Sequence, residues 1–264
     1  MMMSLVNIDA AEHDAETKLL TTLRALNIAR LSRADFHRIL LQRKEISYEF
    51  TGTYDAILSL LTKRAHSGVQ AIRRIIREEY LDTSALPMGD MPSHREDLKS
   101  DLISLGISEQ EFTQSDATAS TLTSMLTLRE AIKQLKRSAF PDISLLAFLR
   151  FWGEVLTAVE YRHFWHSRIE SELVGRPSIF YWSHIVHDER KVKLSEAGSD
   201  TKNNTHSDEL AAALVELFPS RGEERTEALH CVEYAIRIAV KHKVDFYSQF
   251  RPMDSPPRIA RGMV

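Results

Sequence analysis

The chain is poor in the residues that punctuate or cross-link a fold. Nine glycines and eight prolines in 264 residues are about half the usual share of a soluble protein. That scarcity excludes a collagen-like or Gly/Pro-linked disordered chain. It also argues against an all-β fold, which needs a turn roughly every ten residues. The one cysteine, Cys231, excludes an internal disulfide and any zinc site built on cysteines. No apolar run approaches the ~18 residues of a membrane span, and Met1 to Asp9 lack the charged-then-apolar pattern of a secretory leader. Lys and Arg number 34 against 37 Asp and Glu, leaving a formal charge of −3. No block of five like charges appears, so there is no electrostatic footprint for nucleic acid or an acidic membrane. Phosphate-binding glycine loops, nucleotide fingerprints and Gly-x-Ser-x-Gly are also missing. The expectation is a helix-rich, soluble, cytoplasmic protein in a reducing compartment, with a small molecule as partner rather than nucleic acid or a membrane.

Helix signals, by contrast, recur along the chain. Ser32 with Asp35 is close to a capping box, and Ser93 with Glu96 and Ser108 with Glu111 fit the box itself. Pro141-Asp142 opens a long segment in which Leu145, Leu146, Leu149, Trp152, Leu156, Val159 and Phe164 keep a spacing near 3.6. The pattern predicts helices over 15–30, 33–65 with a break at Gly52, 68–81, 94–105, 108–114, 117–139, 142–172, 177–196, 208–218 and 224–250. The polar stretch 198–206 reads as a mobile loop, and 1–14 and 251–264 as loose tails. The ~50 residues after that loop are too few for a core of their own. The fold class expected is therefore all-α, with one helical domain over 15–250.

Several acids and histidines fall where a helix would turn them inward. Ile72, Ile75 and Ile76 define a buried face followed by Glu78 and Glu79, and a carboxylate there is costly unless paired or metal-bound. His94 opens the next helix, and Glu160 sits in an otherwise apolar stretch. His184, Asp188 and Lys191 fall at i, i+4 and i+7 and line one stripe, with His187 beside them. Each of these residues alone is more often structural than functional. A rival pattern is the paired Glu-x-x-His of ferritin-like di-iron bundles, met twice here as Glu160 with His163 and Glu227 with His230. Two such pairs are close to what chance supplies.

The order of the set carries more than its members. Ile76-Arg77-Glu78-Glu79-Tyr80, then His94 with Leu98, then Leu105-Gly106-Ile107 resembles the Glu-Glu…His…Leu-Gly run of the haem-oxygenase-like di-metal oxidases. That family includes a chlamydial death-domain-associating protein, and thiaminase II and the PQQ-synthesis oxidase are more distant relatives. Leu31-Ser32-Arg33-Ala34-Asp35-Phe36 resembles the family's helix start. Glu160 falls at its mid-chain Glu, and His184 to Lys191 matches its His-x3-Asp-x2-His run except at the last position.

The resemblance implies a haem-oxygenase-like helical bundle, with a helix-mediated homodimer as its assembly. It implies metal ligands Glu78, His94, Glu160, His184 and Asp188, although the buried face of the helix favours Glu79 over Glu78. They would hold Fe(II), two ions, with manganese as the alternative. O2 would be the co-substrate for N-oxygenation, desaturation or C–C cleavage of a small amino-acid-like or acyl molecule. Lys191 stands where the family has a histidine. An ammonium does not coordinate a metal, so Lys191 either orients an anionic substrate or abolishes one metal position. His187 and His206 are the histidines available to substitute. Two other functions share the fold: a binding protein with a degenerate metal site, and a cofactor-free enzyme.

Overall fold

A computed structural model describes residues 4–79, 94–173, 175, 178–197 and 205–251, with the side chains of residues 78 and 79 left out. All regular elements among the described residues are helical. The architecture is organised around one rod. Helix α7 (Pro141–Phe148) passes into a π-helical segment, Leu149–Val155, then α8 (Leu156–Phe164), a second π segment, Trp165–Ile169, and α9 (Glu170–Glu172), without interruption. Pro141 begins it, where a missing N–H costs nothing and the fixed φ suits a helix. The rod is apolar on nearly every side, and a helix of that kind belongs inside a bundle. Trp152, Phe148, Phe151, Tyr161 and Phe164 are all at most 2% exposed.

Around the rod pack α1 (Leu5–Ala25), α2 (Arg33–Leu60), α6 (Ala119–Lys136), α10 (Tyr181–Asp188), α11 (His206–Glu216) and α12 (Gly222–Ser248). Helix α12 lies along α1 and α7, α10 lies along α8, and α11 sits between α3 (His66–Glu79) and the first π segment. The shorter α4 (His94–Ser104) and α5 (Glu109–Gln114) pack on each other, joined by a turn at Gly106. There φ is +89°, a left-handed conformation that glycine adopts without strain. The N–H of Ile107 reaches back to the carbonyl of Leu102 (3.1 Å), the long-range bond of a Schellman cap.

Caps expected at Ser32 and Ser108 are present: each hydroxyl accepts from the backbone N–H three residues on. The cap expected at Ser93 lies outside the described residues, as do residues 198–204 of the expected loop. Four differences from the sequence pattern have local causes. The chain is helical from Leu5, not 15, because Ser4 and Asn7 form a cap and Ile8 is fully buried. Helix α2 runs through Gly52 and stops at Leu60, where Thr62 caps a 3₁₀ turn and bonds Asp142. Helix α10 ends at Asp188, well short of 196, as Glu189 turns extended (ψ 123°). His206 belongs to no loop: it is the first residue of α11, capped by Thr205 and Asp208.

Candidate metal centre and adjoining pocket

Four side chains of the rod after Phe148 are buried although charged or, for the threonine, polar: Arg150, Glu154, Thr157 and Glu160, each at most 3% exposed. Burial of such groups requires partners, and the partners define the site. Arg150 meets Glu12 of α1 and donates from Nε to the carbonyl of Ser207 (3.1 Å). Arg190 holds the same Glu12 at 2.5 Å. This buried network ties α1, the rod and the start of α11 into one block.

Glu154 lies in the first π segment, where the N–H of Leu156 bonds the carbonyl of Phe151. The wider turn is a distortion often met at functional positions. Glu154 faces Asp188, the last residue of α10, and His206, the first of α11. Donor atoms of all three lie within 4.8 Å of one another. His206 Nδ1 stands 3.5 Å from Glu154 Oε2 and 3.5 Å from Asp188 Oδ1. Their side chains are 3%, 5% and 12% exposed. The Tyr54 hydroxyl donates to Glu154 Oε1, and Gly153 leaves it the room to do so, since a Cβ there would run into that hydroxyl. Burial first, and then the negative charge of Asp188, pushes the Glu154 carboxyl up to about 7, against the opposing bonds from His206 and Tyr54. Two carboxyls and one imidazole, buried together and short of positive charge, fit a divalent cation that takes oxygen and nitrogen donors.

One turn before Asp188, His184 turns its ring against that of His94 from α4, with centroids 4.6 Å apart. Its Nδ1 lies 2.8 Å from the carbonyl of Phe180. A carbonyl only accepts, so that nitrogen donates, and the bond orients the ring as outer-shell carbonyls orient metal-binding histidines. The start of α10 is fixed by Asp101 of α4, whose carboxylate accepts from the N–H groups of Ile179, Phe180 and Tyr181 and from the Ser178 hydroxyl, at 2.5–3.2 Å. Asp97, one turn earlier on α4, has its carboxyl raised by burial, with His94 pulling the other way. His94 and His184 line a small pocket of about 20 Å³, room for about one water molecule, together with Phe50, Arg95, Leu98, Tyr161 and Phe180.

The expected ligands therefore part company. The structure brings Asp188 together with Glu154 and His206, and brings His94 together with His184. Glu160 stands elsewhere: it accepts from Arg43 Nε, from Lys243 Nζ (2.7 Å) and from Tyr247. Burial alone would raise its carboxyl, but the two cations outweigh burial and hold it low. Glu78, as well as Glu79, falls outside the described side chains. Lys191 does not continue the His184–Asp188 stripe, because the helix has ended; its side chain is exposed and its N–H bonds Asp208 Oδ1 (3.2 Å). His187 is also exposed, with its ring 5.9 Å from that of His206. The ferritin-like pairs do not meet in the core, since Glu227 and His230 lie on the outer face of α12. Glu154 is the residue that sequence reasoning passed over, although a lone Glu between Trp152 and Val155 carries the same signal that singled out Glu160.

Fold and site together define a haem-oxygenase-like all-α bundle with a buried carboxylate–histidine group. A solved structure with this fold is that of a TenA family transcription regulator from Silicibacter, 12% identical, with a TM-score of 0.51 over 95% of this chain and 97% of that one. At such identity the likeness establishes the fold alone. No family model matches the chain, and no curated protein matches it in sequence.

Proposed function

We propose that this chain is a metal-dependent oxidase or oxygenase in which Glu154, Asp188 and His206 hold Fe(II), with Mn(II) as the alternative. His94 and His184 are the donors on hand for a second ion. The observation that carries the proposal is the convergence of Glu154, Asp188 and His206, with donor atoms within 4.8 Å of one another. When bound, such an ion supplies redox chemistry with O2 toward a small organic substrate. The chain's own residues bind and orient. Tyr54 fixes the Glu154 carboxylate, the Phe180 carbonyl orients the His184 ring, and Phe50, Leu98, Tyr161 and Phe180 line the adjoining pocket. Lys191, exposed beyond α10, is assigned no part in this reading.

A second reading has one specific support. A buried carboxyl near pH 7 that accepts from a tyrosine is suited to general acid–base work without any metal, as a cofactor-free enzyme of this fold would need. Oxygen consumption separates the two. The Fe(II)-loaded chain, mixed with aerated buffer and monitored by an oxygen electrode, is expected to consume O2 at a rate that chelation abolishes. An Fe(II)-dependent rate no greater than that of free Fe(II), or one unchanged in a Glu154→Gln, Asp188→Asn double variant, contradicts the oxidase reading and leaves the acid–base one.

A further inference from the structure

Where the turns joining α2 to α3, α6 to α7 and α11 to α12 meet, they leave a groove of about 700 Å³ that shares no residue with the metal centre or the histidine pocket. That volume lies within the range of small-molecule sites, a few hundred to about 1,000 Å³. Part of its lining is apolar: Ile143 of α7 is buried, and Phe140 and Leu217 are half-buried against the core. Three cations line it as well. Lys63 and Arg64 follow one another in the 3₁₀ turn after α2, both exposed, and neither pairs with a carboxylate among the described residues. Lys136, half-buried at the end of α6, donates to the carbonyl of Leu60 (2.8 Å), which brings the third cation to the same stretch of chain. Two carboxylates, Asp142 and Glu224, complete the charged lining. Asp142 accepts from the N–H of Thr62 (3.1 Å) on one oxygen and from its hydroxyl on the other, so both oxygens are already used. The groove therefore carries three positive charges against two negative ones, beside apolar surface that water solvates poorly.

We propose that this groove binds a small amphiphilic monocarboxylate, its carboxylate among Lys63, Arg64 and Lys136 and its apolar body against Phe140, Ile143 and Leu217. One negative charge cancels the excess of one, whereas a dianionic phosphate ester would reverse it. The guanidinium of Arg64 offers a carboxylate paired donors, and the two lysines act as point charges beside it. The alkyl or aryl body gains by leaving water for the apolar lining. None of the metal donors takes part, so the site stands whether or not the chain binds iron.

The experiment uses the full chain with chelator present, so that no metal ion can attract the acid. Isoleucine δ-methyl groups are ¹³C-labelled and followed by NMR at pH 7 as octanoate, octanamide, butyrate or octyl phosphate is added. The Ile143 methyl, identified by its loss in Ile143→Val, reports this groove. Octanoate is expected to shift it and to bind at least tenfold more tightly than octanamide, which lacks the charge, and than butyrate, which lacks most of the chain. Octyl phosphate is expected to bind no more tightly than octanoate. A Lys63→Gln, Arg64→Gln chain, altered only at exposed positions, is expected to bring the preference for acid over amide to under threefold. Salt gives a reading that needs no variant: raising NaCl from ~20 mM to ~0.5 M screens exposed charges and is expected to narrow the preference to under threefold as well. A silent Ile143 methyl, equal affinity for acid and amide, a preference unchanged by salt or by the double variant, or octyl phosphate favoured tenfold would overturn the assignment. In the Asp188→Asn chain the preference is expected to stay within twofold of the unaltered chain. A chain that binds no metal yet keeps the preference supports the carboxylate site and removes the oxidase. One that binds metal without the preference does the reverse.

Discussion

Glu154 and Asp188 bring two carboxyls side by side in the interior, and His206 is the one base that the described residues offer both. The consequence for stability has a definite sign. The Glu154 carboxyl sits at about 7 in the folded chain against 4.5 ordinarily. Between those pH values the folded, metal-free chain keeps a proton that the unfolded chain has released. Stability from this group therefore falls as pH rises from about 4.5 through 7, by up to roughly 3 kcal/mol. His242, pushed down to about 4 by burial and then by Lys243, acts the opposite way between about 4 and 6.5. The two are separated by comparison with Glu154→Gln. In urea melts with chelator, the unaltered chain is expected to lose stability relative to Glu154→Gln as pH rises from 5 to 7.5. A constant difference would show that the Glu154 carboxyl is not raised. Saturating Mn(II), which replaces the proton, is expected to remove the slope. At this scale the sequence was half legible. His184, His94 and Asp188 stand out by spacing and order. Glu160 shows the same lone-acid signal as Glu154, but its counter-charges, Arg43 and Lys243, lie 117 and 83 residues away, beyond what local pattern can reveal.

Elements matter here for how they aim those side chains. Asp101 on α4 caps the start of α10 through three N–H groups and the Ser178 hydroxyl, so one carboxylate couples the helix of His94 to the helix of His184 and Asp188. Asp101→Asn removes the charge from that cap. It is expected to cost about 1–3 kcal/mol of stability and to weaken metal binding about tenfold, as loss of an orienting partner does; calorimetric titration with Mn(II) reads it. Stability lost with affinity unchanged would confine Asp101 to folding. Gly153→Ala tests the π segment. A Cβ there would lie 3.1 Å from Tyr54 Cζ and closer still to its hydroxyl, so Tyr54 must retreat from Glu154. A loss of about 1–3 kcal/mol is expected in thermal or urea unfolding, with no loss contradicting the packing described. Caps at Ser32 and Ser108 and the extent of the rod were readable, because hydroxyl-to-amide caps and a 3.6-residue apolar period are local. The early start of α1 was not, since Asp9, Glu12 and Asp14 look like a solvated tail until Arg150 and Arg190 are seen to hold Glu12. Nor was the end of α10, where Lys191 leaves the stripe that a longer helix would have given it.

For the whole molecule, the bundle converts distance in sequence into proximity. Residue 154 in the rod's first π segment, residue 188 closing α10 and residue 206 opening α11 converge on one place in the bundle. The Glu12–Arg150–Arg190 network ties the rod to α1. The all-α, single-core architecture was legible from the scarcity of glycine and proline, from helix spacing and from the resemblance in motif order. The convergence joins residues 154, 188 and 206, which lie far apart in sequence, and no local periodicity made it legible. Among the described residues no helix is long and apolar enough to cross a membrane. A ligand that binds only the folded state stabilises it by mass action. Mn(II) at a hundred times its dissociation constant is therefore expected to add about 2.7 kcal/mol in urea unfolding, and to add nothing to an Asp188→Asn, His206→Ala chain. A double variant stabilised as much as the unaltered chain would place the metal elsewhere.

The most direct measurement of the central claim is the stoichiometry of Fe(II) bound under anaerobic conditions, in the unaltered chain and in Asp188→Asn, by equilibrium dialysis with elemental analysis. At least one iron per unaltered chain, falling below about a tenth in the variant, is the predicted result. No iron in the unaltered chain, or the same iron in both, would contradict a metal centre built on Glu154, Asp188 and His206.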